Sequence, residues 1–501
     1  MWTKDQIGSS IEKGLMTRRK WFQHAAGGVF GAALATLFRG ENGAMLAARA
    51  SGLEEGKPQT GVRGHDLAPK APHFPAKARS VIQLFMNGGP SQMDLFDPKP
   101  MLDRYHGKPY FDKIAGEVEN IAAAGAIFRS PFKFEQHGRS GLWVSELLPH
   151  IARQADHLGV IKSMFTTNLT HEPALYLIHS GQMRAGYPCL GSWVVYGLGA
   201  ESQNLPAYVV LDDPGGLPVN GVESWSAGSL PPIYQGTRFR SRGAPILNLR
   251  PERELPPGIN SMARDFLRSF DRAHELARPH QPQLEARIAS YELAARMQLS
   301  ASEALDLGSE SPQTLASYGV GESSTDSYGR RCLIARRLVE RGVRFVQIFI
   351  NGQIWDHHTG IEDGLRSACL RTDQPIAALL EDLRQRGLLD NTLVVWGGEF
   401  GRLPISQLAD DKSERNAGRD HNKNAFTTWM AGAGVRGGSV FGATDELGFA
   451  AVEDRVSVPD WHATILHLLG LRHEELFAER NGLQERLTGV VDARVVREIL
   501  T

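Results

Sequence analysis

Three observations predict an α/β domain built on a mostly parallel central sheet. Short apolar runs recur at residues 80–86, 344–350 and 392–396, and each stops at glycine and polar residues. Stretches with apolar residues every three or four positions lie between and around them, at 145–158, 172–180, 330–341 and 364–386. Fully apolar strands alternating with helices form parallel sheets covered on their faces. In open sheets of this kind ligands gather beyond the carboxyl ends of the strands, which directs attention to the polar termini of the three runs.

Residues 1–50 read as an address rather than as fold. Thr17-Arg18-Arg19-Lys20-Trp21-Phe22 precedes a Gly/Ala-rich apolar stretch at 25–38, and Ala48-Arg49-Ala50 supplies a small-x-small cleavage pattern. The stretch is shorter than the about 20 residues a bilayer span needs, so no stable transmembrane segment is expected after cleavage. The reading is a twin-arginine export signal, with the twin-arginine translocation machinery as partner and the periplasm or cell envelope as destination. Residues 51–79 carry Gly, Pro, Lys and His without periodicity and read as a linker or extended arm.

The body is expected over 80–501 as a single domain. Its first strand, 80–86, ends at Asn87-Gly88-Gly89-Pro90, and further strands are expected at 157–161 and 206–211. The segment at about 216–323 turns from Gly/Pro-rich to charged and helical, and reads as an insertion or cap. Its Arg253, Arg264, Arg268 and Arg272 read as solvated surface rather than as a substrate clamp. Residues 460–470 have helical spacing, so His462 and His467 read as helix-packing residues.

Composition excludes several function classes. With 55 basic against 56 acidic residues, a net charge of -1, the chain has no general attraction for nucleic acid or anionic membrane. Cys189, Cys332 and Cys369 are odd in number and far apart, which excludes a disulfide framework and a paired zinc-thiolate site; they read as buried small hydrophobes.

The chemistry lies in four polar clusters at strand ends or glycine turns. They are Asn87-Gly88-Gly89-Pro90-Ser91-Gln92-Met93-Asp94 with Asp97, Asp356-His357-His358, Gly398-Glu399-Phe400-Gly401-Arg402, and Gly418-Arg419-Asp420-His421-Asn422. Carboxylate and imidazole donors without thiolate suit a divalent metal: zinc, manganese, magnesium or calcium, the imidazoles favouring a transition metal over calcium. Such a set serves phosphoryl or sulfuryl transfer, where cations neutralise the transferring group and activate water or a hydroxyl. Each Asp or His taken singly is as well explained as a turn brace or helix cap.

These motifs, together with Asp460-Trp461-His462 through Gly470, resemble the sulfatase-like domain-of-unknown-function family numbered 1501, which belongs with the alkaline-phosphatase superfamily. The likeness runs from Ser80 to about Leu471. It implies a sulfatase-like α/β fold with helices on both faces and a metal-dependent hydrolase ancestry. Residue by residue, Asp356 and His358 with His421 resemble one metal site, with His357 as the alternative ligand. The second is altered: Asn87 stands where the superfamily has Asp, with Asp94 as a substitute, and Glu399-Phe400 stands where it has Asp-His. Asp420 and Arg402 resemble groups that orient ligands or contact an anion. In place of the sulfatase nucleophile motif the chain has Thr170-His171-Glu172-Pro173, so Thr170 is a hydroxyl nucleophile or a helix N-cap, and His171 a ligand or base.

The leading expectation is an exported metal-dependent hydrolase of small-molecule or glycan phosphate or sulfate esters. The alternative is a non-catalytic envelope or glycan-binding protein on a degenerate version of the fold, for which Asn87 and Phe400 argue. The cytoplasmic phosphoglycerate mutases of the same superfamily are disfavoured by the leader.

Overall fold

The computed structural model describes residues 67–240, 258–278, 281–410 and 413–501, so the expected export leader, Arg253 and most of the expected linker lie outside the described residues. The central sheet has nine strands among the described residues. They are β1 Ser80–Phe85, β2 Leu158–Phe165, β3 Tyr208–Leu211, β4 Thr237–Phe239, β5 Phe345–Phe349, β6 Thr392–Gly397, β7 Phe426–Ala431, β8 Ser439–Phe441 and β9 Val456–Ser457. Their order is β8-β2-β7-β6-β1-β5-β3-β4, with β9 also beside β2. Every pairing is parallel except those of β7, which runs antiparallel to both β2 and β6.

The N-terminal strand thus occupies the middle of the sheet, with Val81 opposite Phe345 on one side and Leu393 on the other. All of its residues are buried. Because successive side chains point to opposite faces, one strand feeds two cores. Ile82, Leu84, Val346 and Val394 join the core under helices Asp326–Glu340 and Ile361–Gln385. Val81, Phe85, Phe345 and Val395 join the core under helices His171–Ser180, Leu190–Leu198 and Val458–Leu468. Helices therefore cover both faces, and this is why the strands read as continuous apolar runs.

Two expectations change. The helix expected over 145–158 is broken: a strand occupies Leu142–Ser145, a one-turn helix Pro149–Ala152, and a 3₁₀ turn precedes β2. Pro149 keeps Leu148 out of the helical region, at φ -122° and ψ 52°, so no helix can run through it. Within 216–323, Thr237–Phe239 is the edge strand of the main sheet, and Met297, Ala301 and Ala304 of helix Pro282–Leu305 lie in its core. Helix Ile259–Leu276 belongs to a separate compact unit, and its Arg264, Arg268 and Arg272 are exposed.

Residues from Lys70 to Ala78 are pinned by backbone: Lys70 N–H donates to Leu198 O, His73 N–H to Gly470 O and Lys77 N–H to Leu468 O, each at 2.9 Å. All three cysteines are free and buried. No described helix is long and apolar enough to cross a membrane.

Candidate metal centre

The carboxyl ends of β1, β5 and β6 carry the predicted turns, and two glycines let them meet. Gly88 has φ +117°, and a Cβ there would lie 2.7 Å from Asp356 N; Gly89 has φ +76°, and its Cβ would lie 2.6 Å from the Phe400 ring. Only glycine allows both the conformation and the approach. The Gly88 N–H then donates to both Glu399 oxygens, at 3.0 and 3.2 Å.

Asp356, in the loop after β5, is the hub. Its Oδ1 accepts from Arg402 Nη2 at 2.7 Å and faces His358 Nε2 at 3.0 Å and His421 Nε2 at 3.3 Å. Its Oδ2 lies 3.2 Å from His171 Nε2. His171, the first residue of its helix, reaches Glu399 Oε1 with Nδ1 at 2.8 Å, so one ring spans two carboxylates. One ligand atom from each of His171, Asp356, His358 and His421 lies within 4.8 Å of all the others.

The outer nitrogens decide which way the rings face. His358 Nδ1 is 2.6 Å from Gln407 Oε1, and His421 Nδ1 is 2.7 Å from Leu169 O and 2.6 Å from Glu119 Oε2. Each Nδ1 therefore carries a proton donated outward, and each Nε2 turns a lone pair toward an anionic oxygen. Lone pairs at that distance need a cation between them, either a proton or a metal ion. Without a metal, His171 and His358 hold their protons tightly. Burial pulls His171 down, but its bonds to Asp356 and Glu399 outweigh that and raise it to about 9. Burial opposes protonation of His358 too, yet Asp356 and Gln407 raise it. Burial pushes Asp356 up, but His171, His358, His421 and Arg402 hold it well below the usual carboxylate range. Three imidazoles and a carboxylate, with no thiolate, suit zinc or another first-row divalent cation.

Other expected residues are placed differently. Asp94 lies outside the cluster: it is fully buried, both oxygens accept from Arg419 at 2.7 and 3.2 Å, and Ser91 donates to it as well. The buried Arg419 guanidinium, not the imidazole cluster, balances this carboxylate. His357 also lies outside, with its ring against Gly364 and burial then Arg402 pushing it down to about 4. Asp420 is adjacent but occupied, taking backbone N–H groups of Glu119, Asn120 and His421 at 3.0, 2.8 and 2.8 Å. Arg402 is buried, with its other donors on carbonyls of Gly88, Gly89, Trp355 and Arg419. It balances Asp356 and locks the turns together.

Thr170 stands at the N-cap position, but its side chain caps nothing; the hydroxyl donates to Asn168 Oδ1 at 2.7 Å. Asn87 is buried, and neither its carboxamide N nor its O has a partner among the described residues. His462, away from the cluster, binds Ile178 O at 2.9 Å. Sequence reasoning missed Glu119, Gln407 and Arg419. Of these only Arg419, inside the Gly418–His421 motif, offered a local signal.

No curated protein matches the chain significantly. Solved structures give distant likenesses. Lipoteichoic acid synthase LtaP from Listeria monocytogenes has 8% identity and a TM-score of 0.34, over 85% of this chain and 79% of that one. The phosphonate monoester hydrolase SpPMH from Silicibacter pomeroyi has 12% identity and a TM-score of 0.31, over 71% and 72%. The PsFucS1 sulfatase from Pseudoalteromonas sp. has 12% identity and a TM-score of 0.35, over 79% and 68%. The family model described as protein of unknown function (DUF1501) matches residues 78–500, a span that holds every strand and site residue above, and the chain belongs to that family.

Proposed function

We propose that this protein is an exported metal-dependent hydrolase of phosphate or sulfate esters, with His171, Asp356, His358 and His421 holding one divalent cation. The observation that carries this reading is the pair of inward Nε2 atoms on His358 and His421, whose Nδ1 protons are claimed outside the cluster. A cation there would polarise the ester oxygen and lower the pKa of a bound water or hydroxyl. The chain's own groups orient and move protons. Glu399, held by the Gly88 N–H, accepts the Nδ1 proton of His171 and so leaves the Nε2 lone pair for the cation. Arg402 keeps Asp356 ionised. Thr170, next in sequence to His171, is the nucleophile of choice in this reading.

One ion is assigned to this set, although Glu119, Asp420 and His421 also lie within ligand reach of one another. Asp94 is committed to Arg419, and the Phe400 ring packs 4.4 Å from His421 and 4.9 Å from His171, between centroids. That same observation favours the second reading, a non-catalytic envelope or glycan-binding protein. Export rests on the Arg18-Arg19 motif with its apolar stretch and cleavage pattern.

Metal analysis combined with turnover of aryl phosphate and aryl sulfate tests the proposal. The expected result is one equivalent of metal and measurable turnover, both abolished in Asp356→Ala and His421→Ala. Unchanged metal content in those variants would sink it, and stoichiometric metal with neither turnover would select the binding protein. A reporter fused to residues 1–60 should leave the cytoplasm folded, through the twin-arginine route.

A further inference from the structure

A second constellation lies apart from the His171–Asp356 cluster and shares none of its residues. Lys162 is the sole charged side chain on strand Leu158–Phe165, in the interior of the sheet. Its side chain is only 14% exposed and Lys99 only 12%, and both reach the same buried carboxylate: Lys162 Nζ to Asp97 Oδ1 at 3.3 Å, Lys99 Nζ to Asp97 Oδ2 at 3.1 Å. The Thr444 hydroxyl also donates to Asp97, and Lys99 Nζ lies 3.4 Å from Thr444 O. Two ammonium groups on one carboxylate leave a positive charge over, with N–H donors to spare on each lysine. Apolar residues would fill such a position at less cost in stability, because buried ion pairs seldom repay their desolvation.

Both lysines line a cavity of about 520 Å³. Its wall is a hairpin of Phe134–His137 and Leu142–Ser145, with Phe134 opposite Ser145 and Gln136 opposite Trp143. Directly opposed residues share a face, so Phe134 and Trp143 stand on the same side. Leu142 and Val144 point the other way, into the core. Trp143 stays 40% exposed although its neighbours on the strand are buried. Phe132 adds a third ring, and Ser130 and the exposed Asp103 complete the polar part of the lining.

We propose that this cavity binds an anionic sugar, a ring bearing sulfate, phosphate or carboxylate. Aromatic faces match the C–H faces of a pyranose, Asp103 and Ser130 match its hydroxyls, and the spare N–H donors of Lys99 and Lys162 match the anion. The inference is independent of the metal centre.

Calorimetric titration of the full-length chain with glucose 6-sulfate, glucose and sodium sulfate tests it. Glucose 6-sulfate should bind. Trp143→Ala and Lys162→Gln should each weaken it at least tenfold; Trp143 is exposed, so its variant should keep the wild-type melting temperature. The proposal fails if glucose 6-sulfate gives no binding heat, if sodium sulfate binds as tightly, which would make this a bare anion site, or if Trp143→Ala and Lys162→Gln leave the binding unchanged.

Discussion

His421 sits between an inward lone pair and an outward proton, and Glu119 is what makes that orientation durable. Asp420 ties down the backbone of Glu119 and Asn120, which brings the Glu119 carboxylate to 2.6 Å from His421 Nδ1. Partners of this kind fix the ring and its tautomer, and their loss costs roughly 10–100-fold in metal affinity. Glu119→Ala should therefore weaken zinc binding by about that factor in a chelator competition, while Glu119→Gln, which keeps an acceptor, should recover most of it. Equal affinity in the alanine variant would show that Leu169 O suffices. The residues that meet at the centre were legible because each stands in a short polar motif at a strand end or helix start: His171, Asp356, His358, Glu399 and His421. Glu119 and Gln407 carried no such signal, since they arrive from loops with no characteristic spacing. Asp94 shows the opposite case: its motif is local, but the arginine that pairs with it lies 325 residues away.

Helix Val458–Leu468 repeats this division between local and distant causes. Ser457 Oγ accepts from Asp460 N at 3.2 Å and Asp460 Oδ2 accepts from Ser457 N at 2.8 Å, a reciprocal cap that satisfies two otherwise unpaired donors. Asp460 Oδ1 also takes Arg494 N–H at 2.7 Å, so the cap fastens the C-terminal segment to the helix. Ser457→Ala should lower unfolding free energy by about 1 kcal/mol in denaturant titration. Asp460→Ala should cost more, because the Arg494 contact goes with it; equal losses would mean that contact contributes nothing. This helix was legible from its apolar spacing. The broken segment at 145–158 was not, since the same spacing continues across Pro149 and only backbone geometry stops it.

At the scale of the whole molecule, two buried imidazoles set an acid limit on stability. Burial, with His462 nearby, pushes His179 down to about 3, and burial pushes His462 down to about 4. Above pH of about 6.5 both are neutral in the folded and unfolded states and have no effect. Below it the unfolded chain takes up protons that the folded core refuses. Stability should then fall by about 1.4 kcal/mol per pH unit for each imidazole until the folded values are reached. Urea midpoints at pH 6.5 and 5 measure this, a window in which His171, raised to about 9, stays protonated in the folded state, and equal midpoints would contradict it. The strand order was not legible at all, because nothing local in Phe426–Ala431 marks it as antiparallel or places it between β2 and β6.

The place of β1 also bears on how the protein is made. Both of its neighbours, β5 and β6, are encoded more than 250 residues later, so the middle of the sheet cannot close until the ribosome has passed Phe349. At 5–20 residues per second, β1 waits roughly 13–50 s for its first partner. Through that interval a mostly apolar strand stands open to wrong pairing until Phe345–Phe349 emerges.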